Sequence, residues 1–341
     1  MENKKINREK ARGGLEMKIA ILGAGAMGCL IGAHLKKGGA EVWLIDPYRA
    51  HMDMISEKGL LMELENEPPE VVYMDGAVTH ADEVGICDGV IVLCKCVDTE
   101  KTMNTAGNLI GEQTVLLTMQ NGIGNVEILE KFVEHKHIGF GVLKASATLI
   151  KPGKIVGRKK FVSSEYGLYF SPVQKDGADW QIFRKIEEIL VKGGFDAALT
   201  SKTEELIWDK LYMNIMYNMP CALLKIAGED FMRQPEGEML LHKIADEFCM
   251  VANAKGFSIN KDVYWENYGG PDIKRQAKDV RHYTSAVVDA ARKRKTEVEF
   301  ITGAVYREAQ KLGIAVPYNE TIYWLIKVME STYDLQYSNE I

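Results

Sequence analysis

A chain of 341 residues has room for two ordinary domains and not for three comfortable ones. With 46% hydrophobic and 26% charged residues, its composition excludes a disordered chain, a collagen-like repeat and a coiled-coil rod. The 42 Lys and Arg against 48 Asp and Glu give a net charge of −6, which argues against a protein built to neutralise the phosphates of a duplex.

The first sixteen residues are rich in charge and have no apolar run behind them, so they read as a flexible extension rather than a signal peptide. No apolar stretch anywhere approaches the ~20 residues of a membrane helix. The six cysteines stand at 29, 87, 94, 96, 221 and 249. Only Cys94 and Cys96 are close, and C-x-C is neither a zinc spacing nor a redox spacing. Reduced, mostly buried thiols of a cytoplasmic protein are the expectation.

From Met17 to about residue 200, short β-branched runs alternate with amphipathic stretches. Strands are predicted at 18–22, 41–45, 89–95 and 114–119, with helices around 26–37, 49–58, 98–109 and 124–133. The strands are apolar throughout, as in a parallel sheet covered on both faces. Two long strand-like segments, 138–149 and 154–170, flank Pro152-Gly153, and a helix follows near 178–192. Ser201-x-x-Glu204 reads as a capping box opening a long helical region. Its breaks are expected at Pro220, Gly228, Gly256, Gly269-Gly270-Pro271, Gly313 and Pro317. The fold class is therefore α/β: a Rossmann-type parallel-sheet domain over 17–200 and an all-helical domain over 201–341.

Gly23-Ala24-Gly25-Ala26-Met27-Gly28 follows the first strand and opens a helix. In that context G-x-G-x-x-G has a mechanism: a tight turn, backbone approach to a pyrophosphate, and close helix–sheet packing. Asp46, at the end of the second strand, has the right chemistry to accept the ribose hydroxyls of NADH and to repel the 2′-phosphate of NADPH. Arg49, one turn on, is the opposing feature, and capping of the next helix is the alternative task for Asp46. NADH is favoured over NADPH.

Lys210, Asn214 and Asn218 recur at i, i+4 and i+8 and so share one helical face. Such a face is usually just solvated, but here it is set among Leu211, Ile215, Met216 and Leu223. Asparagine is a poor helix former, so two in register point to amides in use. A lysine beside an enclosed pocket can donate a proton to a developing alkoxide. Lys95 and Gln120-Asn121-Gly122 end strands of the sheet, where open α/β sheets place ligands. Thr296-x-x-Glu299 reads as a second capping box, with Glu297 a first-turn charge. His135 and His137 lack further ligands at metal spacing, so no metal is expected. Arg292 to Lys295 reads as a solvated junction, and the aromatics around Trp265 and Trp324 as core or subunit packing.

Taken in order, G-A-G-A-M-G, L-C-K-C from Leu93, Q-N-G-I-G-N from Gln120, W-D-K-L-Y-M-N-I-M-Y-N from Trp208, and Ser285 with T-E-V-E-F-I-T-G from Thr296 resemble the ketopantoate reductases. The likeness extends to G-I-A-V-P from Gly313. It implies an oxidoreductase with its active site in an interdomain cleft, reducing ketopantoate to pantoate for pantothenate and coenzyme A synthesis. Carried over by position, Lys210 is the general acid and Glu297 orients the product hydroxyl. Asn214, Asn218 and Ser285 hold the substrate, and Lys95 and Asn121 lie between nicotinamide and substrate. A homodimer is expected, with a small 2-keto acid as partner and neither nucleic acid nor membrane.

Two positions depart from the family pattern. Asp46-Pro47 stands where many members carry an Arg and use NADPH, and His282 stands where an Asn is common. A related NAD-dependent D-2-hydroxy acid dehydrogenase of the mandelate type is therefore the nearest alternative. A non-catalytic nucleotide sensor on the same scaffold is the alternative of another class.

Overall fold

The computed structural model describes residues 17–176, 180–266, 281 and 283–336. The N-terminal extension, the Gly269-Gly270-Pro271 break and His282 lie outside them. The described residues form two compact units, one of 17–120 with 125–203, the other of 121–124 with the residues from 204 onward.

The first unit is built on β1 (Lys18–Leu22), β2 (Glu41–Ile45), β3 (Leu60–Leu64), β4 (Glu70–Val72), β5 (Gly76–Val78), β6 (Gly89–Val92) and β7 (Val115–Thr118). It continues with β8 (Ile138–Leu143), β9 (Ser146–Lys151), β10 (Lys154–Arg158), β11 (Leu168–Pro172) and β12 (Ala197–Leu199). Eight strands make one sheet in the order β12-β11-β8-β7-β6-β1-β2-β5. From β5 to β8 every pairing is parallel; β11 turns antiparallel to β8. The helices are α1 (Ala26–Gly38), α2 (Arg49–Lys58), α3 (Thr99–Asn104), α4 (Asn125–Leu129) and α5 (Trp180–Lys192).

Successive residues of a strand point to opposite faces, and both faces here are dry. Ile19 and Ile21 of β1 enter one core with Leu30, Leu35, Phe183 and Ile189. Ala20 and Leu22 enter the other with Met103, Leu109 and Leu129. That double coverage is why the interior strands read as unbroken apolar runs, and the expected α/β class holds.

Three local expectations change. The segments 138–149 and 154–170 each split between two sheets, since β9 and β10 leave the main sheet and join β3 and β4 in a four-stranded one ordered β4-β3-β10-β9. Apolar periodicity reports burial, not which sheet a strand enters. The expected helix over 98–109 is only six residues long, followed by a 3₁₀ turn at Gly107–Leu109, and the one over 124–133 ends at Leu129. Strands β3, β4, β5 and β12 have no counterpart among the predicted elements; three of them are three residues long, too short for an alternation to register.

The second unit comprises α6 (Thr203–Leu224), α7 (Gly228–Met232), α8 (Pro235–Ala254), α9 (Lys261–Tyr264), α10 (Ser285–Ala291), α11 (Thr302–Leu312) and α12 (Pro317–Ser331). Pro220 does not break the chain but lies inside α6, buried. A proline there removes one backbone hydrogen bond. The packing around it outweighs that loss, because Trp208, Leu211, Tyr212, Ile215, Met216 and Met219 of α6 are all buried. The start of α6 is set by Thr200 rather than by Ser201: the Lys202 N–H donates to Thr200 Oγ1 at 3.2 Å and the Thr203 hydroxyl to the Thr200 carbonyl at 2.9 Å. No described helix is long and apolar enough to cross a membrane.

Candidate functional site

The glycine-rich turn joins β1 to α1. A Cβ on Gly23 would lie 2.2 Å from the Cys94 nitrogen, and one on Gly28 would lie 2.2 Å from the Gly23 carbonyl oxygen, so both glycines are required by packing. Gly25 differs, because a Cβ there would meet nothing within 4 Å. It is the N-cap of α1, which has no side-chain cap and no acidic residue in its first turn. An open, uncapped helix start whose middle glycine the fold itself does not need fits a dinucleotide pyrophosphate. Ala24 lies in the turn beside it, and Ala26 and Met27 form the first positions of α1.

Asp46, half-buried beyond β2, accepts the Tyr48 N–H at 2.9 Å through Oδ1. It does not cap α2 directly, since the N-cap is Tyr48. Arg49 is exposed, with Nη2 at 3.4 Å from Thr79 Oγ1. Lys95 precedes the 3₁₀ turn at Cys96–Asp98 and is half-buried. Beside it, the Gln120 amide ties the ends of β6 and β7 together. Its Nε2 donates to the Cys94 carbonyl at 2.7 Å and to Thr99 Oγ1 at 2.8 Å, and its Oε1 accepts from Thr118 Oγ1 at 2.9 Å. Burial pushes the Cys94 thiol up from its ordinary range, so it remains neutral.

In the second unit, Lys210 Nζ donates to Asn121 Oδ1 at 2.9 Å, and Asn121 Nδ2 donates to Glu297 Oε2 at 3.2 Å. The partners fix the amide's orientation: a lysine only donates and a carboxylate only accepts. Asn121 reaches this position because the 121–124 loop packs on the segment before α11. The Ile123 N–H donates to the Phe300 carbonyl at 2.8 Å. Gly122 has φ +80°, and a Cβ there would lie 1.9 Å from the Phe300 oxygen. The N-G in Q-N-G-I-G-N thus has a steric basis.

Asn214 and Asn218 lie one and two turns along α6 from Lys210. The stripe is not a solvated face, since Asn218 is only 7% exposed. Among the described residues neither asparagine side chain makes a hydrogen bond. Ser285 is exposed at the first position of α10, where its neighbour Thr284 provides the cap by accepting the Val287 N–H at 3.4 Å. Its hydroxyl is not part of the Lys210–Asn121–Glu297 chain.

The expected capping box at Thr296 does not form. Helix α11 begins only at Thr302, and Glu299 turns instead to Tyr323 Oη, Lys327 Nζ at 2.7 Å and Arg307 Nη1 at 3.0 Å. Thr296 is held by Glu330, whose Oε1 accepts its N–H at 2.7 Å and its hydroxyl at 2.6 Å. Glu297 is accordingly no helix-dipole charge but a buried residue in a non-helical turn, 6% exposed. Among the described residues, no three His, Cys, Asp or Glu side chains are arranged to hold a metal ion.

A family model described as ketopantoate reductase PanE/ApbA matches residues 19–166, and one described as ketopantoate reductase PanE/ApbA C terminal matches residues 202–330. The 2-dehydropantoate 2-reductase of Streptococcus pyogenes is 26% identical over 325 residues, covering 94% of this chain and 100% of that protein. That of Lactococcus lactis is 28% identical over 318 residues, covering 92% and 98%. Among solved structures, a ternary complex of D-mandelate dehydrogenase with NADH and anilino(oxo)acetate superposes with a TM-score of 0.79 at 27% identity, covering 93% of this chain and 100% of the other. A PanE/ApbA family ketopantoate reductase from Ralstonia eutropha gives 0.77 at 25% identity, covering 93% and 100%. With both halves matched in order, the chain belongs to the ketopantoate reductase family of oxidoreductases.

Proposed function

We propose that this protein reduces ketopantoate (2-dehydropantoate) to pantoate, a step toward pantothenate and coenzyme A, with a nicotinamide dinucleotide as reductant. The observation that carries the proposal is the hydrogen-bonded chain from Lys210 through Asn121 to Glu297. A bound reduced nicotinamide supplies a hydride to the keto carbon. Negative charge then builds on the keto oxygen, and that oxygen needs a positioned cationic donor. Lys210 Nζ delivers the proton, and Asn121 Oδ1 holds Nζ in direction. Glu297 fixes the amide that does the holding and, freed from it, accepts the product hydroxyl. Asn214, Asn218 and Ser285 bind the substrate's hydroxyl and carboxylate. Lys95 contributes positive charge near the cofactor, which helps an anionic ligand approach an acidic protein.

The glycine turn from Gly23 to Gly28 holds the cofactor pyrophosphate, and Asp46 holds the ribose hydroxyls, so NADH is preferred over NADPH. The D-mandelate dehydrogenase complex, which contains NADH, supports that preference. Replacing Asp46 with Ala is expected to narrow the ratio of kcat/KM for NADH over NADPH. An unchanged ratio would limit Asp46 to its turn with Tyr48.

Steady-state assays with ketopantoate and each cofactor test the proposal; oxidation of neither cofactor rules it out. The same likeness to D-mandelate dehydrogenase favours a second reading, reduction of an aromatic or branched 2-keto acid. A panel of such acids, compared by kcat/KM, separates the two. Dinucleotide binding without turnover of any keto acid would instead mark a nucleotide sensor. A cytoplasmic homodimer is part of the proposal, with sedimentation velocity as the measure of assembly. Trp324, Leu325 and Val328, each roughly half-exposed on α12, are apolar surface of the kind a subunit contact covers.

A further inference from the structure

His51 is fully buried on α2, whose buried face is otherwise Met52 and Ile55. The Gly153 N–H, in the turn between β9 and β10, donates to His51 Nδ1 at 2.9 Å. A ring that accepts at Nδ1 carries its proton on Nε2. Nε2 lies 3.1 Å from the Ala24 carbonyl oxygen and donates to it. Cys29 Sγ, on α1, lies 3.2 Å from the same oxygen and donates its S–H there. Two helices thus converge with two donors on a single carbonyl of the glycine-rich turn.

That carbonyl belongs to the Ala24–Gly25 peptide. The group is planar and trans, so holding its oxygen also sets the direction of the Gly25 N–H. On the other side of the turn, the Gly23 and Ala24 N–H groups both donate to the Ile45 carbonyl, at 2.9 and 3.3 Å. Without His51, the Ala24 carbonyl would lose its strongest donor in a dry environment and keep only the weak Cys29 thiol, so the peptide would be held less firmly.

We propose that His51 is a positioning residue for dinucleotide binding, orienting the Ala24–Gly25 peptide of the phosphate-facing turn and tying that turn to the β9–β10 hairpin through Gly153. The proposal rests on the dinucleotide assignment above. His51 works only as a neutral ring, since a proton on Nδ1 would face the Gly153 N–H. Burial lowers its proton affinity and favours that state, against the Ala24 carbonyl and the Asp46 carboxylate, which favour protonation. The remaining neighbours, the Cys29 thiol at 3.3 Å and the Tyr48 ring at 6.0 Å between centroids, bring no charge.

Calorimetric titration of ADP-ribose and of NADH into wild type, His51→Gln and His51→Leu tests the role. Glutamine can donate to Ala24 and accept from Gly153, so its affinity is expected within about threefold of wild type. Leucine can do neither, and its affinity is expected to fall by about tenfold or more. Equal binding by wild type and His51→Leu overturns the proposal, as does a loss in His51→Gln as large as in His51→Leu. A wild type that binds neither ligand overturns the dinucleotide assignment itself. In wild type, ¹⁵N-histidine spectra near neutral pH are expected to show Nδ1 bare and Nε2 protonated. A proton on Nδ1 overturns the proposal whether or not either variant folds.

Discussion

Asn121 Oδ1 lies 2.9 Å from Lys210 Nζ although 89 positions separate the two residues in the chain. The contact places the head of a flexible four-carbon side chain, and reach alone would not place it. As the proposed general acid, a lysine so held spends less of its time in orientations that cannot protonate a bound ketone. Lys210→Ala is therefore expected to lower kcat by ~10²–10⁴, the span for removing a positioned acid. Steady-state kinetics with the physiological keto acid is the measurement, and unchanged turnover would remove Lys210 from the chemistry.

Gly122 makes that contact possible. Its φ of +80° and its approach to the Phe300 carbonyl leave no space for a methyl group. Gly122→Ala is expected to cost about 1–3 kcal/mol of stability, from backbone strain and displacement of the loop. Because the loop carries Asn121, kcat should fall further than the lost stability explains. Chemical denaturation alongside kinetics distinguishes the two effects; a variant as stable and active as wild type would show that the loop tolerates the side chain.

Glu247 on α8 is a carboxylate only 4% exposed, and its partners are the first turn of α12. Its Oε1 accepts the Tyr318 N–H at 2.9 Å, and its Oε2 accepts the Asn319 N–H at 2.9 Å and Nδ2 at 2.7 Å. Pro317 opens α12, so a cap supplied from another helix replaces the one its own sequence lacks. Glu247→Ala leaves three donors without their acceptor and is expected to destabilise by about 3 kcal/mol. Denaturant midpoints measure it, and a shift under about 0.5 kcal/mol would mean water replaces the carboxylate.

His34 of α1 is 1% exposed, donates Nδ1–H to the Leu30 carbonyl at 2.8 Å and packs its ring edge on Phe195. Burial lowers its pKa from 6.5 to about 4, helped by Lys37 and Lys159 and opposed by the Leu30 carbonyl and Glu67. The unfolded chain therefore binds the proton first. The contribution of His34 is fully present above pH 6.5 and declines as pH falls from there toward 4, by up to about 3 kcal/mol. His34→Gln is expected to flatten the pH dependence of stability over that window, and an unchanged slope would contradict it.

The parts of the fold legible in sequence are those whose signal is local. The apolar runs of β1, β6 and β7 announce a sheet covered on both faces, and Arg49–Lys58 shows the expected helix at its expected bounds. The three-residue strands β4, β5 and β12 are too short for an alternation to register, and the division of 138–149 between two sheets is not legible because pairing partners leave no mark on a strand's own pattern. Glu297 lies off the helix that its local pattern suggests for a similar reason: the Thr296 motif satisfies a local rule, while Glu330, 34 residues on, holds Thr296. His51 gave only the weak signal of a histidine on the apolar side of an amphipathic helix.

By itself the sequence determined the α/β class, the glycine turn at the first strand–helix junction, and the register of Lys210, Asn214 and Asn218 along one helix. These are properties of periods of two and 3.6 residues, written within a few turns of chain. Tertiary structure alone decided that Asn121 leaves the end of β7 to bridge Lys210 and Glu297, at separations of 89 and 176 residues. It also decided that Pro220 stays helical and that His51 reaches Ala24 and Gly153 at once. Such contacts form when distant segments share one dry core, where unpaired donors and acceptors are costly and the pairing that satisfies them wins.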